Sequence, residues 1–143
     1  ADNSIQILQL SASAKQITLL NNVPKDIFVN ADMNLANTII RNLISNAIKF
    51  TDNGGEISVT AIDSTSGYVA IAVKDSGIGI SKETIKDLFK IDKSVSTLGT
   101  NGESGTGLGL ILCREFVEMH NGRIWAESEL DVGTTFYFTL PKL

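Results

Sequence analysis

Residues 42–50 read Asn-Leu-Ile-Ser-Asn-Ala-Ile-Lys-Phe, and they end a longer segment with a helical period. Apolar residues recur at every fourth position, which predicts a helix from about residue 32 to residue 50 with one buried stripe of Leu35, Ile39, Leu43 and Ala47. The run Asp52-Asn53-Gly54-Gly55 predicts the end of this helix.

A second face of the helix carries Asn42, Asn46 and Lys49, which lie four and three positions apart beside the apolar stripe. One interpretation is an ordinary solvated surface. The other is a ligand site, because amide oxygens suit Mg²⁺ and a lysine ammonium suits a phosphate. The spacing alone leaves both interpretations open.

Alternating apolar residues after this helix predict two β-hairpins. The hairpins are expected over 57–61 with 69–73, and over 123–127 with 134–140 through a turn at 131–133. Further helices are expected over 4–15, 81–89 and 110–120, and short strands over 16–20 and 27–30. Strands that come in hairpins, with helices between them, predict an α+β fold with a mixed sheet and the helices on one face.

The 143 residues suit one domain, and their composition excludes several classes of protein. The 43% hydrophobic and 20% charged residues are typical of a globular chain. A net charge of −4 gives no general attraction for nucleic acid or anionic lipid, and a single cysteine, Cys113, cannot form an internal disulfide. No apolar run approaches the roughly 18 residues that a membrane span needs. We therefore expect no nucleic-acid partner and no direct membrane contact.

Glycine-rich segments lie at the end of a strand and at the start of a helix. Asp75-Ser76-Gly77-Ile78-Gly79 closes an apolar strand, where the carboxylate either caps a turn or faces a ligand. A Ser/Thr/Gly-rich loop over 92–107 is long enough to be a functional lid. It leads into Gly105-Thr106-Gly107-Leu108-Gly109, where backbone N–H groups at a helix start could meet phosphate. Gly133-Thr134-Thr135-Phe136 opens the last strand.

Together and in this order, the segments resemble the catalytic and ATP-binding domain of sensor histidine kinases, in the Bergerat (GHKL) superfamily. Residues 42–50 resemble the N box, 75–79 the G1 box, 85–91 a shortened F box and 105–109 the G2 box. The resemblance covers about residues 4–141 and implies one domain over 1–143, a two-layer α/β sandwich with three helices on one face of a mixed sheet. It also implies that the dimerisation domain with the phosphoacceptor histidine is absent from these residues.

The resemblance assigns site roles residue by residue. Asp75 is expected to accept a hydrogen bond from the adenine amine, and Asn46 is expected to bind Mg²⁺ together with the ATP phosphates. Asn42 and Lys49 are expected at the triphosphate, and Lys90 near the γ-phosphate, with Lys93 as its rival; Asn42, Lys49 and Lys90 would act in the transfer. Further nucleotide contacts are expected from Phe50, Gly77, Gly79, Gly105, Thr106, Gly107, Leu108, Gly109 and Thr134.

The implied function is that of a protein-histidine kinase domain. It would bind Mg-ATP and donate the γ-phosphate to a histidine on a separate dimerisation and phosphotransfer domain, with a response regulator downstream. The domain is expected to be monomeric by itself and cytoplasmic, whether its parent is membrane-anchored or soluble. His120, on the same helix stripe as Cys113, is expected to be a buried core residue and not a phosphoacceptor.

Two other functions remain in competition. ATPases of the superfamily use a helix glutamate four residues before the metal-binding asparagine, and that position is Asn42 here. An amide cannot serve as general base for water, which disfavours hydrolysis. A nucleotide-binding module without catalysis would differ only in its failure to transfer phosphate to a partner.

Overall fold

The computed structural model describes residues 12–13, 15–23, 33–51, 54–63, 67–79 and 109–141. Within these ranges the elements are β1 (Thr18–Asn21), α1 (Met33–Phe50), β2 (Glu56–Asp63), β3 (Tyr68–Asp75), α2 (Gly109–Met119), β4 (Ile124–Glu129) and β5 (Gly133–Pro141). The expected strand over 27–30, the expected helix over 81–89 and most of the expected helix over 4–15 lie outside the described residues. Neither described helix is long and apolar enough to cross a membrane.

The strands form one five-stranded sheet in the order β1-β2-β3-β5-β4. β1 pairs with β2 in parallel, and every other neighbouring pair is antiparallel. Both expected hairpins are therefore confirmed, and the sheet is mixed. The parallel pair needs a crossover connection between its strands, and α1 lies in it.

One face of the sheet packs against α1 and α2 to form the core. Each strand contributes alternate residues, because successive side chains point to opposite faces. The buried residues include Ile57, Val59, Val69, Ile71, Val73, Phe136, Phe138 and Leu140 from the sheet and Ile39, Leu43, Ala47, Cys113 and Val117 from the helices. The predicted stripe of α1 is confirmed, with Leu35 half-buried at its start. The outer face of the sheet carries a stacked pair, Trp125 and Tyr137, with ring centroids 5.2 Å apart.

The end of α2 is a Schellman motif. The Gly122 N–H donates to the Val117 carbonyl at 3.0 Å, and the Asn121 N–H donates to the Glu118 carbonyl at 2.9 Å. Asn121 takes the left-handed conformation that this motif needs, with φ 60°. The helix expected over 110–120 is therefore confirmed, with Met119 as its last residue.

His120 lies just before Asn121 and is half-buried, so the expectation of a buried histidine is wrong. Its Nδ1 is 2.8 Å from the carbonyl oxygen of Phe116. The residue follows Met119, the last residue of α2, so the periodicity of the helix no longer predicts its burial.

Candidate functional site

Three polar side chains stand in one row at the end of the sheet, on the face that packs against the helices. The register places Asp75 of β3 opposite Thr134 of β5, and Thr134 opposite Ser128 of β4. Asp75 and Thr134 are each only 5% exposed. Buried polar groups require hydrogen-bond partners, and this row supplies them internally.

Asp75 is held by two backbone N–H groups on the same carboxylate oxygen. Oδ1 accepts from Gly77 at 2.9 Å and from Thr134 at 3.2 Å. Burial raises the pKa of the Asp75 carboxyl, and these two hydrogen bonds oppose the rise. Among the described residues both bonds reach Oδ1, which leaves Oδ2 to accept a hydrogen bond from a ligand.

The hydroxyl groups of Ser128 and Thr134 form a short chain beside this carboxylate. Ser128 Oγ donates to the Gly133 carbonyl at 3.0 Å, and it lies 2.7 Å from Thr134 Oγ1. A hydroxyl has one proton to donate, so Thr134 donates to Ser128 and keeps its own lone pairs for another donor. The row therefore presents acceptor atoms from two strands.

The glycines after Asp75 allow close packing against other parts of the protein backbone. A Cβ at Gly77 would collide with the carbonyl oxygen of Phe50. Gly79 has φ 77°, and a Cβ there would collide with the carbonyl oxygen of Glu129. Both glycines are therefore required by contacts within the chain, and their expected contact with a nucleotide stays a prediction.

Ile78 links the same loop to two other elements. Its N–H donates to the Phe50 carbonyl at 3.1 Å, at the end of α1. Its carbonyl accepts from the Asp131 N–H at 2.8 Å, in the turn between β4 and β5. The loop after β3 is thus fixed between the end of α1 and that turn.

The second face of α1 is arranged as its spacing predicts. Asn42, Asn46 and Lys49 are all half-buried beside the core stripe. Burial raises the pKa of the Cys113 thiol to about 11, against the lowering effect of a hydrogen bond with the Asn42 side chain. Cys113 is a fully buried core residue, as expected, and its contact connects Asn42 to α2.

Lys49 and Phe50, the last two residues of α1, contact each other: Lys49 Nζ lies 4.9 Å from the centroid of the Phe50 ring. Gly109, the last glycine of the segment that resembles the G2 box, is the first residue of α2. The remaining expected site residues lie outside the described part of the chain: Lys90, Lys93, Gly105, Thr106, Gly107 and Leu108, with the lid over 92–107.

The metal assignment to Asn46 is a prediction that the geometry leaves open. Within the described ranges, no group of three or more His, Cys, Asp or Glu side chains could hold a metal ion. A site that uses one amide oxygen with phosphate and water ligands does not need such a group. The half-buried amide of Asn46 fits a site of that kind.

Ser128 is a member of the row that the sequence analysis missed. The expected turn at 131–133 is displaced by one residue, because Gly133 already pairs with Glu129 as the first residue of β5. Once Gly133 is paired with Glu129, counting one residue further along each strand places Ser128 opposite Thr134.

A hollow of about 280 Å³ also opens at this end of the sheet. Its lining includes Asp75, Ser128 and Thr134 of the polar row, together with Lys74, Glu127 and Thr135, which are neighbours across β3, β5 and β4. Strand alternation places the last three side chains on the outer face, away from α1 and α2. The hollow therefore borders both the polar row and the outer face of the sheet.

Comparisons with known proteins agree with this arrangement. The sequence model of the family described as "Histidine kinase-, DNA gyrase B-, and HSP90-like ATPase" matches residues 31–143. The adaptive-response sensory kinase SasA of Crocosphaera subtropica is 41% identical over 128 residues, which cover 89% of this chain and 33% of the relative. The chain spans about a third of the length of such relatives.

Solved structures give the same result at the level of the fold. The catalytic domain of the histidine kinase ThkA has a TM-score of 0.83 at 30% identity, covering 99% of this chain and 89% of that one. The structure of ThkA in complex with the response regulator TrrA has a TM-score of 0.79 at 27% identity, covering 99% and 39%. This chain therefore belongs to the histidine kinase-, DNA gyrase B- and HSP90-like ATPase family, and within it to the catalytic domains of histidine kinases.

Proposed function

We propose that this domain binds Mg-ATP and presents the γ-phosphate to a histidine on a separate dimerisation and phosphotransfer domain. The observation that carries the proposal is the buried Asp75 carboxylate, with Oδ1 held by two backbone N–H groups and Oδ2 left to accept. A preorganised acceptor at the end of a sheet, beside a face of amides and a lysine, suits a nucleotide with a base at one end and phosphates at the other.

Asp75 selects adenine over guanine. A carboxylate oxygen accepts from the adenine N6 amine, whereas the O6 carbonyl of guanine would face it as a second acceptor. Thr134 adds a further acceptor, because it donates its hydroxyl proton to Ser128. Phe50, half-buried at the end of α1, supplies apolar area for the base or ribose.

The phosphates lie along α1 in this proposal. Asn46 would hold Mg²⁺ through its amide oxygen, and the ion would supply charge neutralisation for the phosphates. Asn42 and Lys49 lie on the same helix face, where an amide and an ammonium would hold the triphosphate. Lys90, or its rival Lys93, would act near the γ-phosphate, with Gly105, Thr106, Gly107, Leu108 and Gly109 around the phosphates under the lid.

Transfer is favoured over hydrolysis because the helix offers no base for water. The position four residues before Asn46 is Asn42, and an amide side chain cannot take a proton from water as a general base. The role left to the domain is to hold the γ-phosphate in line for a nucleophile that another domain supplies. In that step the bond from the γ-phosphorus to ADP breaks as a bond to the histidine nitrogen forms.

The partners follow from this division of labour. The phosphoacceptor domain of the parent kinase supplies the histidine, and a response regulator accepts the phosphoryl group afterwards. ThkA, the relative whose complex with a response regulator is solved, supports the second partner. We place the domain in the cytoplasm, where ATP is available, as a single module over residues 1–143.

Incubation with radiolabelled ATP tests the proposal. The domain alone is expected to bind ATP without labelling itself, and to label the phosphoacceptor domain of its parent kinase when the two are mixed. Transfer is expected to be slow, because untethered partners lack a high effective concentration. Phosphate release without a partner would indicate an ATPase instead, and binding without transfer would indicate a regulatory module. Acid-labile label on this chain alone, lost in His120→Gln, would overturn the division of labour.

A further inference from the structure

The carbonyl groups in the last turn of α1 accept hydrogen bonds from residues outside the helix. The final four carbonyls of an α-helix have no partner inside the helix, and here these belong to residues 47–50. At one end of the set, Thr51 Oγ1 donates to the Ala47 carbonyl at 2.6 Å. At the other end, the Ile78 N–H donates to the Phe50 carbonyl at 3.1 Å.

Lys15 provides hydrogen bonds to the two carbonyls between them. Its Nζ lies 2.9 Å from the carbonyl oxygen of Ile48 and 3.1 Å from that of Lys49. The residue is only 5% exposed. An ammonium group at this position also interacts favourably with the negative end of the helix dipole. All four terminal carbonyls of α1 are thus hydrogen-bonded, two of them by one buried cation.

The backbone that carries Lys15 is itself fixed. The Ile17 N–H donates to the Ala12 carbonyl at 2.8 Å, and the Gln16 N–H donates to the Ser13 carbonyl at 3.0 Å. This is a Schellman motif with Gln16 in the left-handed conformation, at φ 56°. Ala12 and Ile17 are buried in the core. Lys15 therefore reaches α1 from an anchored turn that immediately precedes β1.

The turn that Lys15 holds is the one that carries the proposed nucleotide contacts Lys49 and Phe50. The Phe50 carbonyl in turn fixes Ile78, in the loop that follows Asp75. The next hydrogen bond in that loop runs from the Gly77 N–H to Oδ1 of Asp75. A continuous set of hydrogen bonds and backbone contacts thus leads from Lys15 to the proposed adenine acceptor.

We propose that Lys15 is a positioning residue for nucleotide binding: its ammonium group fixes the last turn of α1 and so couples the segment before β1 to the nucleotide site. The proposal rests on the proposed function, because the site it serves is the ATP site. A shift of the segment before β1 would withdraw the cation, remove its hydrogen bond to the Lys49 carbonyl, leave the Ile48 carbonyl with only the longer bond from the Thr51 N–H at 3.4 Å, and loosen the loop after Asp75.

The test compares four forms of the domain: wild type, Lys15→Met, Lys15→Arg and Val69→Ala. Lys15→Met keeps the length of the side chain and removes its charge and donors. Lys15→Arg restores both. Val69→Ala creates a cavity at the far end of the sheet, where Val69 pairs with Leu140, and controls for a general loss of stability. All measurements are made at a temperature where each form is folded by circular dichroism.

The first readout is amide hydrogen exchange without nucleotide. The Ile78 amide, bonded to Phe50, is expected to exchange about 10-fold faster in Lys15→Met, relative to the Phe138 amide as an internal reference. The second readout is the Kd for Mg-ATP, which is expected to rise roughly 5- to 30-fold in Lys15→Met and to recover substantially in Lys15→Arg. Val69→Ala is expected to leave both readouts close to wild type.

The test distinguishes a failure of the Lys15 coupling from a failure of the proposed function. Wild-type exchange at Ile78 and wild-type affinity in folded Lys15→Met would overturn the coupling. So would losses in Val69→Ala that match those in Lys15→Met. If the wild-type domain binds no Mg-ATP, the proposed function fails, and the exchange data alone decide: faster exchange at Ile78 supports the coupling and unchanged exchange overturns it.

Discussion

Thr134 donates its backbone N–H to Oδ1 of Asp75 across the β3–β5 pair, over a distance of 3.2 Å and a separation of 59 residues in the chain. The hydrogen bond orients the carboxylate before any ligand arrives. It joins the last residue of β3 to the second residue of β5, so the sheet itself sets the acceptor geometry. Preorganisation of this kind lowers the ordering cost of binding.

Replacing Asp75 by Asn is expected to weaken ATP binding. The amide can still accept from Gly77 and Thr134 through Oδ1, but its nitrogen would face the adenine amine donor to donor. A hydrogen bond to a charged group contributes about 1.5–3 kcal/mol, so the Kd is expected to rise about 10- to 100-fold by calorimetric titration. Asp131→Asn makes the same chemical change at an exposed turn and is expected to leave the Kd unchanged. Unaltered affinity in folded Asp75→Asn would contradict the adenine role.

The same substitution is expected to change how stability depends on pH. Burial, opposed by two hydrogen bonds, raises the pKa of the Asp75 carboxyl above its ordinary 3.8. Between 3.8 and the raised value the folded state binds more protons than the unfolded chain, so stability falls as pH rises through that window. Asp75→Asn does not titrate. The free energy of unfolding in urea, measured from about pH 4 to about pH 7, is therefore expected to increase in the variant relative to wild type as pH rises. A difference between the two that does not change with pH would contradict a raised pKa of Asp75.

Asn46→Ala is expected to act through the metal. With Mg²⁺ present, the variant loses an oxygen ligand, and its Kd for ATP is expected to rise at least about 10-fold. With the metal chelated, the loss is expected to be much smaller. Ser45→Ala, one residue earlier on an exposed side of α1, is the matched control and is expected to change neither value. Equal losses for Asn46→Ala with and without Mg²⁺ would point to packing instead.

The Ser128 and Thr134 hydroxyl pair is expected to contribute to folding stability as a unit. Ser128→Ala removes the acceptor of Thr134 and the donor to Gly133, at an expected cost of about 1 kcal/mol. A double-mutant cycle with Thr134→Val is expected to give a coupling energy of at least about 0.5 kcal/mol in chemical denaturation. Additive losses would show that the two hydroxyls act independently.

Gln16→Gly is expected to stabilise the domain. Gln16 has φ 56°, and a side chain costs about 1–2 kcal/mol in that conformation, partly offset by the entropy that glycine loses on folding. The net gain is expected to be about 0.5–1 kcal/mol in thermal unfolding. Asn121→Gly, at the matching position of α2, is expected to gain less, because asparagine tolerates the conformation better.

The sequence predicts the mixed α+β fold because each element carries its own local signal. Val69, Ile71 and Val73 alternate as a strand with one buried face must, and the stripe of α1 repeats as a helix must. Asp75 and Thr134 could be named from the resemblance. The hydrogen bond between them depends on strand pairing over a long separation, which no local period encodes. Lys15 was missed for a related reason, since its partners are backbone carbonyls 33 and 34 residues away.

The parallel pairing of β1 with β2 also has a kinetic consequence. The β2–β3 and β4–β5 pairs close short turns, whereas β1 reaches its partner only after the long connection through α1 is in place. Because the entropy of closing long loops delays such pairs, we expect β1–β2, and β3–β5 with its separation of 59 residues between Asp75 and Thr134, to form after the two hairpins. As an edge strand with one neighbour, β1 is expected to open in the native state more readily than β3 at the centre of the sheet. The acceptor geometry at Asp75 exists only once β3 has met β5, so we expect the binding site for ATP to be completed among the late steps of folding.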